Sequence, residues 1–177
     1  MHIQYLDLLI RDAVSDDCEQ LAAWWNDGRV MAHAGFPNGL GTTARKIAKD
    51  IAADDDARRR RMVIACKGKL IGETSFSVQE GRIYEIGIKI CDPDYQEKGL
   101  GRVLLSMLIE ELFRIGASKI VLDTNLQNTR AQHVYELLGF RKTAVHIDSW
   151  FDQLGRPQSA VDYELCPADF INYKSAP

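Results

Sequence analysis

Apolar and polar positions partly alternate over residues 2–11, which predicts a first strand there. Residues 12–17 then supply turn and capping chemistry, with Ser15 and Asp16 placed to accept from the free N–H groups of a helix running to about Asn26. Leu21, Trp24 and Trp25 mark the inner side of that helix. The run Gly35-Phe36-Pro37-Asn38-Gly39-Leu40-Gly41 cannot stay helical and must be a loop. Thr42 or Thr43 caps a second helix to about Asp54, with Ile47 and Ile51 one turn apart. Three short strands follow at 62–66, 70–78 and 82–90, joined by hairpin-type turns at 67–69 and 79–81. This stretch reads as an antiparallel meander.

The pattern then changes. Asp92-Pro93-Asp94-Tyr95 is a turn and residues 96–101 form a glycine-bearing loop. Val103, Leu104, Met107, Leu108, Leu112 and Ile115 recur at helical spacing, and Gly116 is placed to end that helix. A short buried strand is expected at 119–123, a helix at 131–138, and two last strands at 141–150 and 159–165. There is no internal repeat and no linker, so the 177 residues read as a single α/β domain.

Composition narrows the function. Lys and Arg total 22 against 25 for Asp and Glu, a net charge of −3, so the concentrated positive charge that nucleic acid or an anionic membrane needs is missing. At 46% hydrophobic and 27% charged residues, the chain has enough apolar side chains for a real core. No apolar run approaches the ~20 residues of a membrane span, and no basic start followed by an apolar stretch marks a secretory signal. Cys18, Cys66, Cys91 and Cys166 are widely spaced, which suits free thiols in a reducing cytoplasm better than a zinc site or disulfides. The acidic run 54–56 and the basic run Arg58-Arg59-Arg60-Arg61 largely cancel and read as a solvated connection, with an anion site as the alternative.

The chemistry concentrates in Ile90-Cys91-Asp92-Pro93-Asp94-Tyr95-Gln96-Glu97-Lys98-Gly99-Leu100-Gly101-Arg102, a strand running through a turn and a two-glycine loop into a long helix. The first N–H groups of a helix have no intrahelical partner, and the peptide dipoles there favour an anion. Gly99 and Gly101 remove the side chains that would keep a phosphate off the backbone. A dinucleotide-binding loop would want glycine where Leu104 stands, and a Walker loop would want Lys then Ser or Thr where Arg102 and Val103 stand. Neither fits. Downstream lies Asn128-x-x-Ala131-x-x-x-Tyr135-x-x-x-Gly139-Phe140.

A Gln-x-x-Gly-x-Gly loop, a long helix, a strand and this second motif, in that order, resemble the GCN5-related N-acetyltransferase (GNAT) superfamily over roughly residues 60–150. Within it the chain looks closest to the branch of ribosomal-protein N-terminal and aminoglycoside acetyltransferases. The resemblance implies a mixed, mostly antiparallel sheet of six to seven strands, splayed between the fourth and fifth, with helices on both faces. It implies acetyl transfer from acetyl-CoA, without a metal, directly to a primary amine of a small molecule or peptide N-terminus. By position, Ile90 and Cys91 would offer backbone groups to the pantetheine arm and acetyl carbonyl, and Gln96, Glu97, Lys98, Gly99, Leu100, Gly101 and Arg102 would hold the diphosphate. Asn128 would contact the cofactor, and Tyr135 would protonate the departing thiolate.

A base is also needed, and two carboxylates compete. Glu85 lies mid-strand, where relatives often place a Glu working through water, and is the first choice; Asp123 matches a base of some ribosomal-protein acetyltransferases but is one methylene shorter. A backbone N–H at Cys91 or nearby is a candidate oxyanion donor. The acceptor groove would lie between residues 24–40 and about 150–162, where Trp24, Trp25, Phe36, Trp150 and Phe151 offer an apolar wall and Asp27, Asp148 and Asp152 negative charge. The terminal strands leave room for a homodimer. A second reading is a catalytically inactive CoA-binding sensor of the same fold.

Overall fold

The chain opens on a hairpin rather than on one strand. In the computed structural model, which describes residues 1–174, β1 (His2–Tyr5) and β2 (Leu8–Asp12) pair antiparallel with His2 opposite Arg11. Leu6 takes φ 52° at the reversal, so the turn forms without the glycine or proline that would have marked it in the sequence. The single strand expected over 2–11 is therefore two, and the sheet has eight strands instead of six to seven.

The meander is as expected, with the first two strands longer and the third one residue shorter: β3 (Arg59–Cys66), β4 (Lys69–Gln79) and β5 (Ile83–Ile90). After β6 (Lys119–Asn125) the chain forms β7 (Arg141–Phe151) and β8 (Pro157–Leu165), and β8 inserts between β6 and β7. Two cores flank the sheet. Ile10, Ile64, Phe76, Ile86 and Leu122 pack under α4 (Leu100–Arg114) and α5 (Thr129–Leu137). Val63 and Cys91, on the opposite face, pack under α1 (Cys18–Asn26) and α3 (Ala44–Ala52). A one-turn helix that the pattern did not announce, α2 (Gly28–Met31), follows α1; the Asp27 carboxylate caps it by accepting from Arg29 N–H.

The sheet is not continuous. β5 pairs in parallel with β6 only from Ile83 opposite Lys119 to Glu85 opposite Val121. It stays paired with β4 as far as Ile90 opposite Gly72. The C-terminal half of β5 therefore has one neighbour and an open edge, at the place where the resemblance put the splay.

The turn leading into α1 is closed by one buried carboxylate. No side chain caps α1 itself, neither Ser15 nor Asp16; Asp17, 3% exposed, accepts from Val14 N–H at 2.8 Å and from Arg11 Nη1 and Nη2 at 2.7 and 2.8 Å, tying the turn to β2. Burial, the largest single influence, would raise the Asp17 pKa, but the Arg11 hydrogen bonds, the Val14 N–H and the Arg11 charge together outweigh it and hold the carboxyl below its ordinary value. A depressed folded-state pKa gives stability that is present above the unfolded value and lost as pH falls through the folded one. Asp17→Asn is expected to lower unfolding stability by about 1–3 kcal/mol at pH 7, read as a shift in urea midpoint with unchanged slope. The difference from wild type should shrink below about pH 4.

Candidate active site

The loop before α4 is built to leave its backbone free. Asp92 accepts from Asp94 N–H and starts a tight turn, and Gln96 N–H closes it on the Pro93 carbonyl. Glu97 and Gly99 then take φ 59° and 72°, a left-handed geometry that turns successive N–H groups inward. Among the described residues, the N–H groups of residues 97–102 have no acceptor. A Cβ at Gly101 would meet nothing within 4 Å, so the space over the helix start is open. Gln96, Glu97, Gly99, Leu100, Gly101 and Arg102 line the same cleft; Lys98 does not, and its ammonium sits 5.8 Å over the Tyr95 ring. Free amides, an aligned helix dipole and room above a glycine fit a diphosphate.

The open edge of β5 continues this surface. Cys91 N–H donates to the Ile71 carbonyl, so it is spent and does not serve as an oxyanion donor, contrary to the expectation from the sequence. That bond also fixes the alternation: Ile90 and Ile88 turn their backbone groups away from β4, into the gap facing β6. The Ile90 carbonyl is taken by Gln96 Nε2 at 2.8 Å, which ties the loop to the strand end. Ile88, beyond the last β5–β6 pair, leaves both its N–H and its C=O in the gap.

Tyr135 on α5 reaches the cleft from the far side, although the residue is only 8% exposed. Its ring packs against Phe140 and Tyr163 at centroid distances of 5.8 and 5.7 Å. Burial, then the charge of Asp123, push its phenol up to about 12, so it is a proton donor at neutral pH. Asn128 caps α5 by accepting from Ala131 N–H and also lines the cleft.

The two carboxylates part company. Asp123 lines the cleft; loss of solvent, then the nearby Glu85 and Asp162, raise its pKa, which suits a base. Glu85 does not line the cleft, and its carboxylate accepts from Ser77 Oγ and Gln79 Nε2, each at 3.2 Å. Cys91 is 3% exposed, and burial, then Glu73, push its thiol up to about 12, so it is no nucleophile at neutral pH.

A single cleft of about 1190 Å³ runs from the α4 loop past Asp123 and Tyr135 to an outer wall of Trp25, Met31, His33 and Trp150. Trp24 is core, and Phe151 is 69% exposed. Asp152 is consumed by its own turn, accepting from the N–H groups of Leu154 and Arg156 and from Arg156 Nε. The expected solvated connection at 54–61 is more than that. Arg61 Nη1 lies 2.5 Å from Asp54 Oδ1, and Arg59 and Arg61 both line the cleft, a role the sequence reading missed because neighbouring acids cancelled their charge.

Residues 7–141 match the acetyltransferase (GNAT) domain family. The chain belongs to the GNAT acetyltransferase family. It is an N-acetyltransferase, 30% identical over 115 residues (64% of this chain, 76% of the relative) to the [ribosomal protein bS18]-alanine N-acetyltransferase of Escherichia coli K12. Its fold is similar to that of yncA from Salmonella typhimurium, solved with its cofactor acetyl-CoA (TM-score 0.74, 26% identity, 90% of this chain and 94% of that one). A second match is spermidine N-acetyltransferase from Vibrio cholerae in complex with CoA and spermine (TM-score 0.82, 23% identity, 94% and 99%).

The free space over Gly101 gives a test that separates binding from folding. Gly101→Val is expected to leave the thermal midpoint within about 3 °C of wild type, because no atom lies in the way. Calorimetry should find CoA affinity at least about tenfold lower, about 1.4 kcal/mol. Unchanged affinity would remove the loop from the binding site.

Proposed function

We propose that this GNAT enzyme moves the acetyl group of acetyl-CoA directly to a primary amine, with Asp123 as the base and Tyr135 as the acid. One observation carries the reading: unpartnered loop amides, an unpaired strand edge, a neutral phenol and a carboxylate of raised pKa share one cleft. Acetyl-CoA supplies the activated acyl group. The N–H groups of residues 97–102 hold its diphosphate, and the gap between β5 and β6 takes its arm. Ile88 N–H is the oxyanion donor in place of Cys91, since donors already aimed at developing charge need no reorganisation.

Asp123 removes a proton from the acceptor ammonium, through one water because its side chain is short. Tyr135 gives its proton to the departing thiolate. Glu85 acts on Asp123 by its charge and does not touch the acceptor. With its thiol buried and protonated, Cys91 takes no part, which leaves direct transfer as the route. The related enzymes' names include a protein N-terminal alanine and spermidine as acceptors, both primary amines, which supports a small molecule or a peptide N-terminus here.

Tyr135→Phe is expected to lower kcat about 100-fold while leaving CoA affinity within about twofold. Asp123→Asn should flatten the acid limb of the kcat/KM profile, which in the wild type lies above the ordinary aspartate value of about 3.9 because the carboxyl is raised. Thiol release from acetyl-CoA, followed with a panel of amines, checks both. CoA binding with no turnover on any amine would favour the sensor reading instead.

A further inference from the structure

Charge at the outer end of the cleft goes against what a polycationic acceptor needs. The lining there carries Arg29, Arg59, Arg61 and Lys89 against a single carboxylate, Glu73. Glu73 is already engaged, accepting from Trp25 Nε1 at 2.9 Å and from Lys89 Nζ at 3.3 Å. Arg29 is held by Asp27, and Arg61 by Asp54 and the Asp50 carbonyl. Of the acids near Trp150, Asp148 does not line the cleft and Asp152 is closed into its turn. Arg59 stands opposite Asp55 in a one-pair bridge, but among the described residues its guanidinium makes no ion pair. Once the pairs in the lining are counted, Arg59 remains unmatched, and the lining carboxylate without an ion pair is Asp123, the proposed base.

A second ammonium placed there would face Arg59 with Glu73 already paired and Asp123 taken by the reacting amine, whereas an anion would find a guanidinium fork that matches a carboxylate. The neighbours of Arg59 allow such a visitor. Its strand begins at the surface, its cross-strand neighbour is Ser77, and Ser75, Trp25 and Trp150 line the same cleft. Trp150 is itself fixed, since Gly35 lies so close that a Cβ there would meet the ring at 2.4 Å.

We infer that the acceptor is an amine bearing a carboxylate or equivalent anion at its non-reacting end, read by Arg59 at the outer end of the cleft, and that polyamines are poor substrates. The inference rests on the proposal that this cleft is where acetyl transfer occurs. It names a substrate class that could arrive as a free amino acid or as the N-terminus of an acidic peptide. Arg59 acts by binding the acceptor and leaves the donor end untouched.

The test is a steady-state comparison of matched acceptors at physiological ionic strength: free glutamate against free lysine amide, Ala-Glu-Glu-amide against Ala-Lys-Lys-amide, and spermidine. The anionic member of each pair should show at least about tenfold higher kcat/KM, carried mainly by KM. The free and peptide arms separate the two sources. Arg59→Ala should abolish the preference and Arg59→Glu should reverse it, with CoA affinity by calorimetry unchanged in both. Preference for spermidine or the lysine peptide would overturn this inference and leave the acetyltransferase proposal standing. No turnover of any acceptor by wild type that still binds CoA would overturn both.

Discussion

Three residue pairs are all that join β5 to β6, and the active cleft exists because the ladder stops there. A sheet that continued would spend the edge of β5 on hydrogen bonds to its neighbour and close the cleft. By parting after Glu85, the strands leave Ile88 and Ile90 with backbone groups that need other partners. One is supplied internally, by the Gln96 amide on the Ile90 carbonyl. The rest face the space into which α4 also aims its free N–H groups. The gap in the sheet and the helix start are thus joined through Gln96 into one device, and a change at either end would disturb the other.

The cleft has two electrostatic characters. Its inner end combines peptide dipoles with Arg102 and Arg130, the latter held at 2.7 Å by Glu97, and suits a polyanion. In the middle, Asp123 and Tyr135 are both raised in pKa, one toward holding a proton more readily and the other toward keeping its own. Loss of solvent is the larger cause for both, so one feature of the cleft, its partial dryness, shifts the proposed base and the proposed acid together.

Much of this was legible in the residues. The two glycines at the start of a strongly periodic helix pointed to the loop whose N–H groups are free at the cleft, and the spacing of Asn128 and Tyr135 agrees with both lining that cleft. What failed was whatever depends on register or on long-range pairing. The hairpin of β1 and β2 went unread because Leu6, not glycine, adopts the positive φ of its turn. Glu85 looked better placed than Asp123, but only the pairing of β5 with β4 shows its carboxylate turned to Ser77 and Gln79. Cys91 N–H looked free until Ile71 was brought opposite it. Arg59 and Arg61 were hidden in a run whose charges cancel in sequence, and only the fold shows both lining the cleft, Arg61 still paired with Asp54.

A crystal structure of this chain with CoA measures the central arrangement directly. The diphosphate is expected within hydrogen-bond distance of the N–H groups of residues 97–102, with the sulfur within about 3.5 Å of Tyr135 Oη. A cofactor lying elsewhere, or a sulfur on the far side of β5 from Tyr135, would contradict the account.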